Sequence, residues 1–301
     1  MTLDIKPLLR KLFSWRVILW TVRGMCVAFV LFNVYFYFDQ ERWIFQPGVD
    51  PTGYQPKGSL TPTSKGRLSP PGKLLPPPTD ENWSSQEAVI HFQKFSTTRM
   101  PAKGAVLYFH GNRGDMERCR WEIEPFLLAG YDVWTMDYRG FGESNGPLGE
   151  TALVNDGRMF YRYLRENASV KEEELIVWGR SLGSGIAASV AANNSPKLLV
   201  LETPYCSLPD AARGGNPFLL PIVFRYRLPT YEYLDYLDCP VHLIHGDSDE
   251  EISYASSEAI KKRCEDLNVP VALDKIPQGK HNLRDAATES RFHAVLSRIL
   301  K

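Results

Sequence analysis

The sequence predicts an α/β protein with a mostly parallel central sheet and helices on both faces, and three observations carry that reading. Apolar runs near 105–110, 132–138, 175–180, 197–203, 240–245 and 270–276 read as strands. Helical patterns separate them, most plainly the last, where Phe292, Val295, Leu296, Ile299 and Leu300 recur at helical spacing. Such alternation requires crossover connections, and these impose parallel pairing with both faces covered. Finally, the 301 residues less an N-terminal segment leave a length that such folds fill as one domain.

Residues 17–38 (VILWTVRGMCVAFVLFNVYFYF) supply the ~20 apolar residues a helix needs to cross a bilayer. Arg23 interrupts them, close enough to one end to snorkel. Lys6, Arg10, Lys11, Arg16 and Arg23 lie on the N-terminal side, and Asp39 and Glu41 begin the other flank. The positive-inside rule then places the N-terminus in the cytoplasm and the rest in a periplasm or lumen. No small-x-small cleavage site follows the run, so it reads as a retained anchor rather than a cleaved signal. The expected organisation is a basic segment at 1–16, a transmembrane anchor at 17–38, a membrane-proximal and Pro-rich linker at 39–85, and a folded domain at 86–301. The Pro, Gly, Ser and Thr of 47–82 make that linker extended, hugging the core or spacing it from the bilayer.

The strand over 105–110 ends in His110-Gly111-Asn112, and the one over 175–180 delivers Gly179-Arg180-Ser181-Leu182-Gly183. The latter is G-x-S-x-G, a sharp strand-to-helix turn that lifts a serine hydroxyl clear of a sheet. Its other reading is a glycine-rich loop of a dinucleotide-binding domain. A serine hydroxyl is a poor nucleophile unless a base, an orienting carboxylate and oxyanion donors accompany it. The backbone N–H groups of Asn112 and Leu182 are the expected donors, the second at a helix N-terminus where the dipole favours negative charge.

PVHLIHGDSDE (240–250) reads as a strand entering a turn that carries Asp249, the expected acid, with Asp247 as the alternative and Glu202 a weaker one. After the last strand, QGKHN places His281 in a glycine-containing loop, where it is the expected base. His110 and His245 each precede a glycine at a strand end, where hydrogen-bonding roles are expected; His242 lies in a strand, and His91 and His293 sit in an amphipathic strand and helix. The chain order Ser181, Asp249, His281 is one of the three orders in which such triads occur.

FHGN (109–112), DYRGFGES (137–144), GRSLGSG (179–185), ETPYCSL (202–208), CPVHLIHGDSD (239–249) and GKHN (279–282) together make residues 86–300 resemble the α/β-hydrolases. Within them the chain resembles the membrane-anchored serine hydrolases related to protein depalmitoylases and lysophospholipases, with similarity also to acylaminoacyl-peptidase-like hydrolases. The resemblance implies an α/β-hydrolase fold with a short cap, and an acyl-enzyme mechanism on ester or thioester substrates. A serine peptidase and a non-catalytic interaction protein of the same fold are the alternatives. Two departures stand out. Glu250-Glu251-Ile252-Ser253 replace the usual apolar residue and proline after the acid, and only EAVIHFQKFS (87–96) is visible ahead of the oxyanion strand. The resemblance also places NPFLLPIVFRYRLPTYEYLDYL (216–237) over Ser181, making Phe218, Leu219, Leu220 and Phe224 candidates for an acyl-pocket wall.

Thirty-five basic and thirty-five acidic residues give no net charge and no electrostatic case for nucleic acid. The five cysteines lack zinc spacing, and neither a metal nor a cofactor is expected. The expected partners are a lipid or small-molecule acyl substrate and the membrane; oligomeric state and disulfide state stay open.

Overall fold

The computed structural model describes residues 15–46, 62–69, 73–74, 88–117 and 119–301. The basic segment before Trp15 and most of the Pro-rich stretch lie outside them. Helix α1 (Trp15–Ile44) is a run of long apolar residues without proline. It continues six residues past the expected anchor, and the chain reaches Pro47, which disfavours helix at the residue before it. The helix is long and apolar enough to cross a membrane. It is almost wholly exposed, as a core helix of this length would not be.

Among the described residues, nine strands form one sheet: β1 (Ser64–Ser69), β2 (Lys73–Leu74), β3 (Ile90–Phe95), β4 (Ala105–Phe109), β5 (Asp132–Met136), β6 (Leu175–Arg180), β7 (Leu198–Glu202), β8 (Val241–Gly246) and β9 (Val271–Ile276). Their spatial order is β2-β1-β3-β5-β4-β6-β7-β8-β9. The pairs from β5 through β4 to β9 are parallel, while β1, β2 and β3 add an antiparallel edge. The first two strands lie inside the stretch read as linker, so part of that stretch hugs the core.

Helices α2 (Arg120–Leu128), α3 (Glu150–Glu166), α4 (Leu182–Ala191), α5 (Leu208–Gly215), α6 (Thr230–Tyr233), α7 (Ala255–Asp266) and α8 (Glu289–Ile299) are the other described α-helices, joined by three short 3-10 turns. Strand alternation divides the core between two faces. Leu175 and Val177 join Phe160 of α3, Ile186 of α4 and Ile260 of α7. Ile176 and Trp178 turn to the opposite face, with Phe126 of α2 and Phe292 of α8. The chain moves from β4 to β5 on one side and then returns to place β6 on the other. That reversal opens a crevice at the carboxyl ends of β4 and β6, where sheets of this kind bind ligands. Asn112 and Ser181 follow those two ends.

Candidate active site

Ser181 holds φ 50° and ψ −118° between β6 and α4, a conformation costing a non-glycine residue about 1–3 kcal/mol. The flanking glycines make so sharp a turn possible. A Cβ on Gly179 would lie 2.3 Å from the Gly183 carbonyl oxygen, and one on Gly183 would lie 2.2 Å from that of Phe109. The turn is tied down by the Ser181 N–H on the Glu202 carbonyl at 2.9 Å and the Ser184 hydroxyl on the Ser181 carbonyl at 2.7 Å.

Three of the sequence-predicted residues meet here. His281 Nε2 lies 2.9 Å from Ser181 Oγ, and His281 Nδ1 lies 2.9 Å from Asp249 Oδ2. The other oxygen, Asp249 Oδ1, accepts the N–H groups of Glu251 and Ile252, each at 2.9 Å, so the unusual Glu250–Ser253 sequence still closes a turn on the acid. Burial would raise the Asp249 pKa, but hydrogen bonds from His245 and His281, the His281 charge and the Ile252 N–H together hold it well below the ordinary range. An ionised Asp249 accepts from Nδ1–H, which leaves Nε2 free to take the Ser181 proton. Asp247 instead accepts the Gln278 N–H at 2.6 Å and pairs with Lys275 at 3.3 Å, away from His281.

His245 has the hydrogen-bonding role expected of it, and its partner is the acid itself, which sequence reasoning did not name. Its Nε2 faces Asp249 Oδ2 at 3.2 Å and the Ile252 carbonyl at 3.0 Å, two acceptors, so it carries a proton; its Nδ1 meets the Ser257 hydroxyl at 2.7 Å. The only hint was its place four residues before the acid.

Glu202 is not with the histidine. It lies under the turn in a dry cluster, with Arg284 Nη2 at 2.9 Å, Arg180 Nε at 3.4 Å and Trp178 Nε1 at 3.1 Å. Arg180 also reaches Glu122 at 2.9 Å, and Tyr108 donates to the same carboxylate. Burial would raise the Glu202 pKa, but the two arginines and Trp178 pull it below the ordinary value.

Asn112, Ser181 and Leu182 border one cavity of about 170 Å³, walled by Ile44, Tyr205, Leu208, Ala211, Phe224, Glu251 and others. Leu182 opens α4, so its N–H belongs to the first-turn donors without a helical acceptor. The Asn112 carbonyl is gripped by the Gln46 N–H at 2.8 Å, and the Gly114 N–H returns to the Gln46 carbonyl at 3.2 Å. Of the expected pocket wall, Phe224 borders this cavity. Leu219 packs in a cluster with Phe36 and Phe224, Leu220 faces a groove along α1, and Phe218 is 66% exposed. The cap is turned this way because its backbone is bonded to α1. Ile44 could not have been anticipated, because nothing in the sequence ties α1 to the serine turn.

All five cysteines are free. Among the described residues, no cluster of His, Cys, Asp or Glu could hold a metal ion.

The family profile described as "Serine aminopeptidase, S33" matches residues 100–231. Lysophosphatidylserine lipase ABHD12 of Danio rerio is 29% identical over 173 residues, 50% of this chain and 44% of that protein. An uncharacterized protein of Mycobacterium tuberculosis is 32% identical over 158 residues, covering 52% of this chain and 56% of its own length. The chain thus spans about half the length of the curated relatives it matches. Among solved structures, the Pyrococcus furiosus esterase Pf2001 superposes with a TM-score of 0.64 at 17% identity, covering 85% of this chain and 97% of the esterase. That likeness speaks to the fold.

Proposed function

We propose that this chain of the α/β-hydrolase superfamily is a serine hydrolase cleaving carboxylic esters or thioesters of acyl substrates. The observation that carries this reading is the unbroken hydrogen-bonded line Ser181–His281–Asp249 beside two candidate amide donors. Ser181 Oγ attacks the acyl carbonyl as its proton passes to His281 Nε2. The N–H groups of Asn112 and Leu182 receive the developing oxyanion, and His281 returns the proton to the leaving alkoxide or thiolate. Water then enters by the same route, and the acyl-enzyme is released as a carboxylic acid. Asp249 holds the tautomer and stabilises the imidazolium.

The apolar wall of Ile44, Leu208, Ala211 and Phe224 supports an acyl rather than a polar leaving side. The lipase name of the Danio rerio relative points the same way. Residues 17–38 act as a retained single-pass anchor with the N-terminus cytoplasmic and the 86–301 domain outside. The close docking of α1 on the domain supports retention, since cleavage would remove side chains the cap is bonded to. The decisive experiment is labelling of the full chain with a fluorophosphonate probe. Wild-type protein labels, and Ser181→Ala does not; equal labelling of both ends the proposal.

One observation favours a second reading, an aminopeptidase. The Glu251 carboxylate borders the cavity and lies 4.0 Å from His281 Nε2, where it could meet a substrate ammonium. Arg113 already pairs with it at 3.3 Å, which weakens that role. Turnover of aminoacyl anilides above that of acyl esters would choose the peptidase.

A further inference from the structure

Two amide side chains interrupt the exposed apolar surface of α1, and both are buried. Asn33 Nδ2 donates to the Phe218 carbonyl at 3.1 Å, while its Oδ1 accepts the Leu220 N–H at 2.9 Å. Two helical turns on, Gln40 Nε2 donates to the Val223 carbonyl at 3.1 Å and its Oε1 accepts the Arg225 N–H at 2.8 Å. Each amide therefore meets the cap backbone as a neighbouring strand would. Between them Phe36 packs edge-on against Phe224, with ring centres 5.0 Å apart. Beside them an apolar groove of about 280 Å³ runs between α1 and the cap, bordered by Val30, Val34, Tyr37, Leu220 and Val223 among others.

These bonds fix the cap's height along α1. At about 1.5 Å per residue, Asn33 lies roughly 8 Å inside Phe38, the last residue of the apolar run. The Phe218–Leu220 backbone is held at that level, within the run itself. Irregular backbone enters hydrocarbon only when its polar groups are satisfied by protein. That condition is met for most of the segment. The N–H groups of Phe218, Leu219, Leu220, Val223, Phe224 and Arg225 have acceptors and Pro221 has none to place, which leaves the N–H of Ile222 as the exception. The cap's outer side chains suit the same medium, with Phe218 66% and Ile222 87% exposed. Where α1 turns polar the contact does too: Glu41 accepts from Arg225 and Tyr226, both at 2.8 Å, as expected near the headgroups.

We propose that cap residues 218–223 are immersed in the lipid leaflet beside α1, so that the Ser181 cavity opens at the membrane surface and draws its acyl substrate from the lipid phase. The proposal rests on the reading of α1 as a bilayer span. Phe224 and Ile44 join the immersed part to the cavity, since each contributes to its wall.

The test uses the full chain in phosphatidylcholine vesicles. Ile222→Cys is compared with Lys171→Cys, a position whose side chain is 63% exposed and which precedes β6, at the end of the sheet opposite Ser181. Site-resolved mass spectrometry follows modification by a membrane-impermeant maleimide, and alkaline extraction reports whether the chain is integral. The expected result is at least tenfold slower modification at 222, with the protein resisting extraction. Equal modification of both positions in extraction-resistant protein overturns the immersed cap and leaves the span intact. Release of the chain by alkali overturns the span and the immersed cap together, while fluorophosphonate labelling of Ser181 still reports independently on the hydrolase.

Discussion

Beneath Ser181, Arg180 and Arg284 share a dry interior with Glu122 and Glu202, whereas above it the cap hangs from α1 by two amides and a small apolar cluster. The floor couples four parts of the chain: the serine turn, the end of β7, α2 and the loop that carries His281. Its bonds are directional and charged. Such clusters lose much of their attraction to desolvation, so their value lies in position more than in stability. The cap is held differently, by neutral amides and a small apolar cluster reaching across more than 180 residues of chain, with one partly exposed ion pair at its edge. On the proposed function, the difference assigns the holding of the reacting atoms to one half of the site and the choice of substrate to the other.

The sharpest test of that division is chemical. His281→Ala should lower ester turnover by several powers of ten, and Asp249→Asn by about 10⁴, with Asp247→Asn near wild type. Steady-state kinetics on a short-chain ester measures all three. If Asp247→Asn is the damaging change, the hydrogen-bonded line is misassigned.

Next in size is the cost of breaking the floor against that of trimming the cap. Glu202→Gln takes the carboxylate from buried Arg284 and leaves Arg180 with Glu122 alone, so it should destabilise by about 3–5 kcal/mol. Glu41→Gln, at a pair more than a third exposed, should cost under ~1 kcal/mol. Denaturant unfolding of the full chain in detergent compares them, and equal costs would erase the contrast.

A third effect depends on pH. Burial pushes Asp137 up to about 7, and the Met116 N–H at 2.8 Å only partly offsets it. A folded-state pKa raised above the unfolded value means stability that is complete below about pH 4 and lost as pH rises through 7. Asp137→Asn should flatten this decline, a difference on the order of 2 kcal/mol between pH 5 and 8, read as Tm at the two values. A variant whose Tm falls as steeply as wild type would assign the decline to other groups.

The smallest expected effect belongs to the cap. Each methylene buried against Phe224 contributes up to ~0.8 kcal/mol, so turnover should rise with acyl length. Phe224→Asp should flatten that rise, and Leu220→Asp, in the groove along α1, should leave it standing for soluble esters. Matching losses in both variants would merge the groove with the cavity.

The parallel strands were legible because Leu175-Ile176-Val177-Trp178 and its counterparts are apolar on both faces, and only a buried strand tolerates that. The candidate triad was legible because Ser181, Asp249 and His281 each follow a strand, and strand ends converge in a parallel sheet. The edge was not: SKGRLS of β1 has one buried leucine and no clear alternation, so its pairing with β3 is decided by the sheet it joins. Nor was the union of α1 with the cap. Asn33 and Gln40 stand out in an apolar run, but their partners lie 185 and 183 residues away, and no local pattern encodes so distant a match.

Arg180 is the first variable residue of the serine turn, a place that the motif itself leaves open. Here it is not open. Two cations and two anions cancel one another beneath Ser181, so replacing any one leaves an uncompensated charge in a dry interior. A lineage changing one residue at a time would have to cross a poorly folded intermediate to remove the cluster, whereas a paired loss such as Arg180 with Glu122 keeps the balance. Positions 122, 180, 202 and 284 should therefore behave in random mutagenesis as a single unit of inheritance, tolerant of compensated pairs and closed to solitary steps.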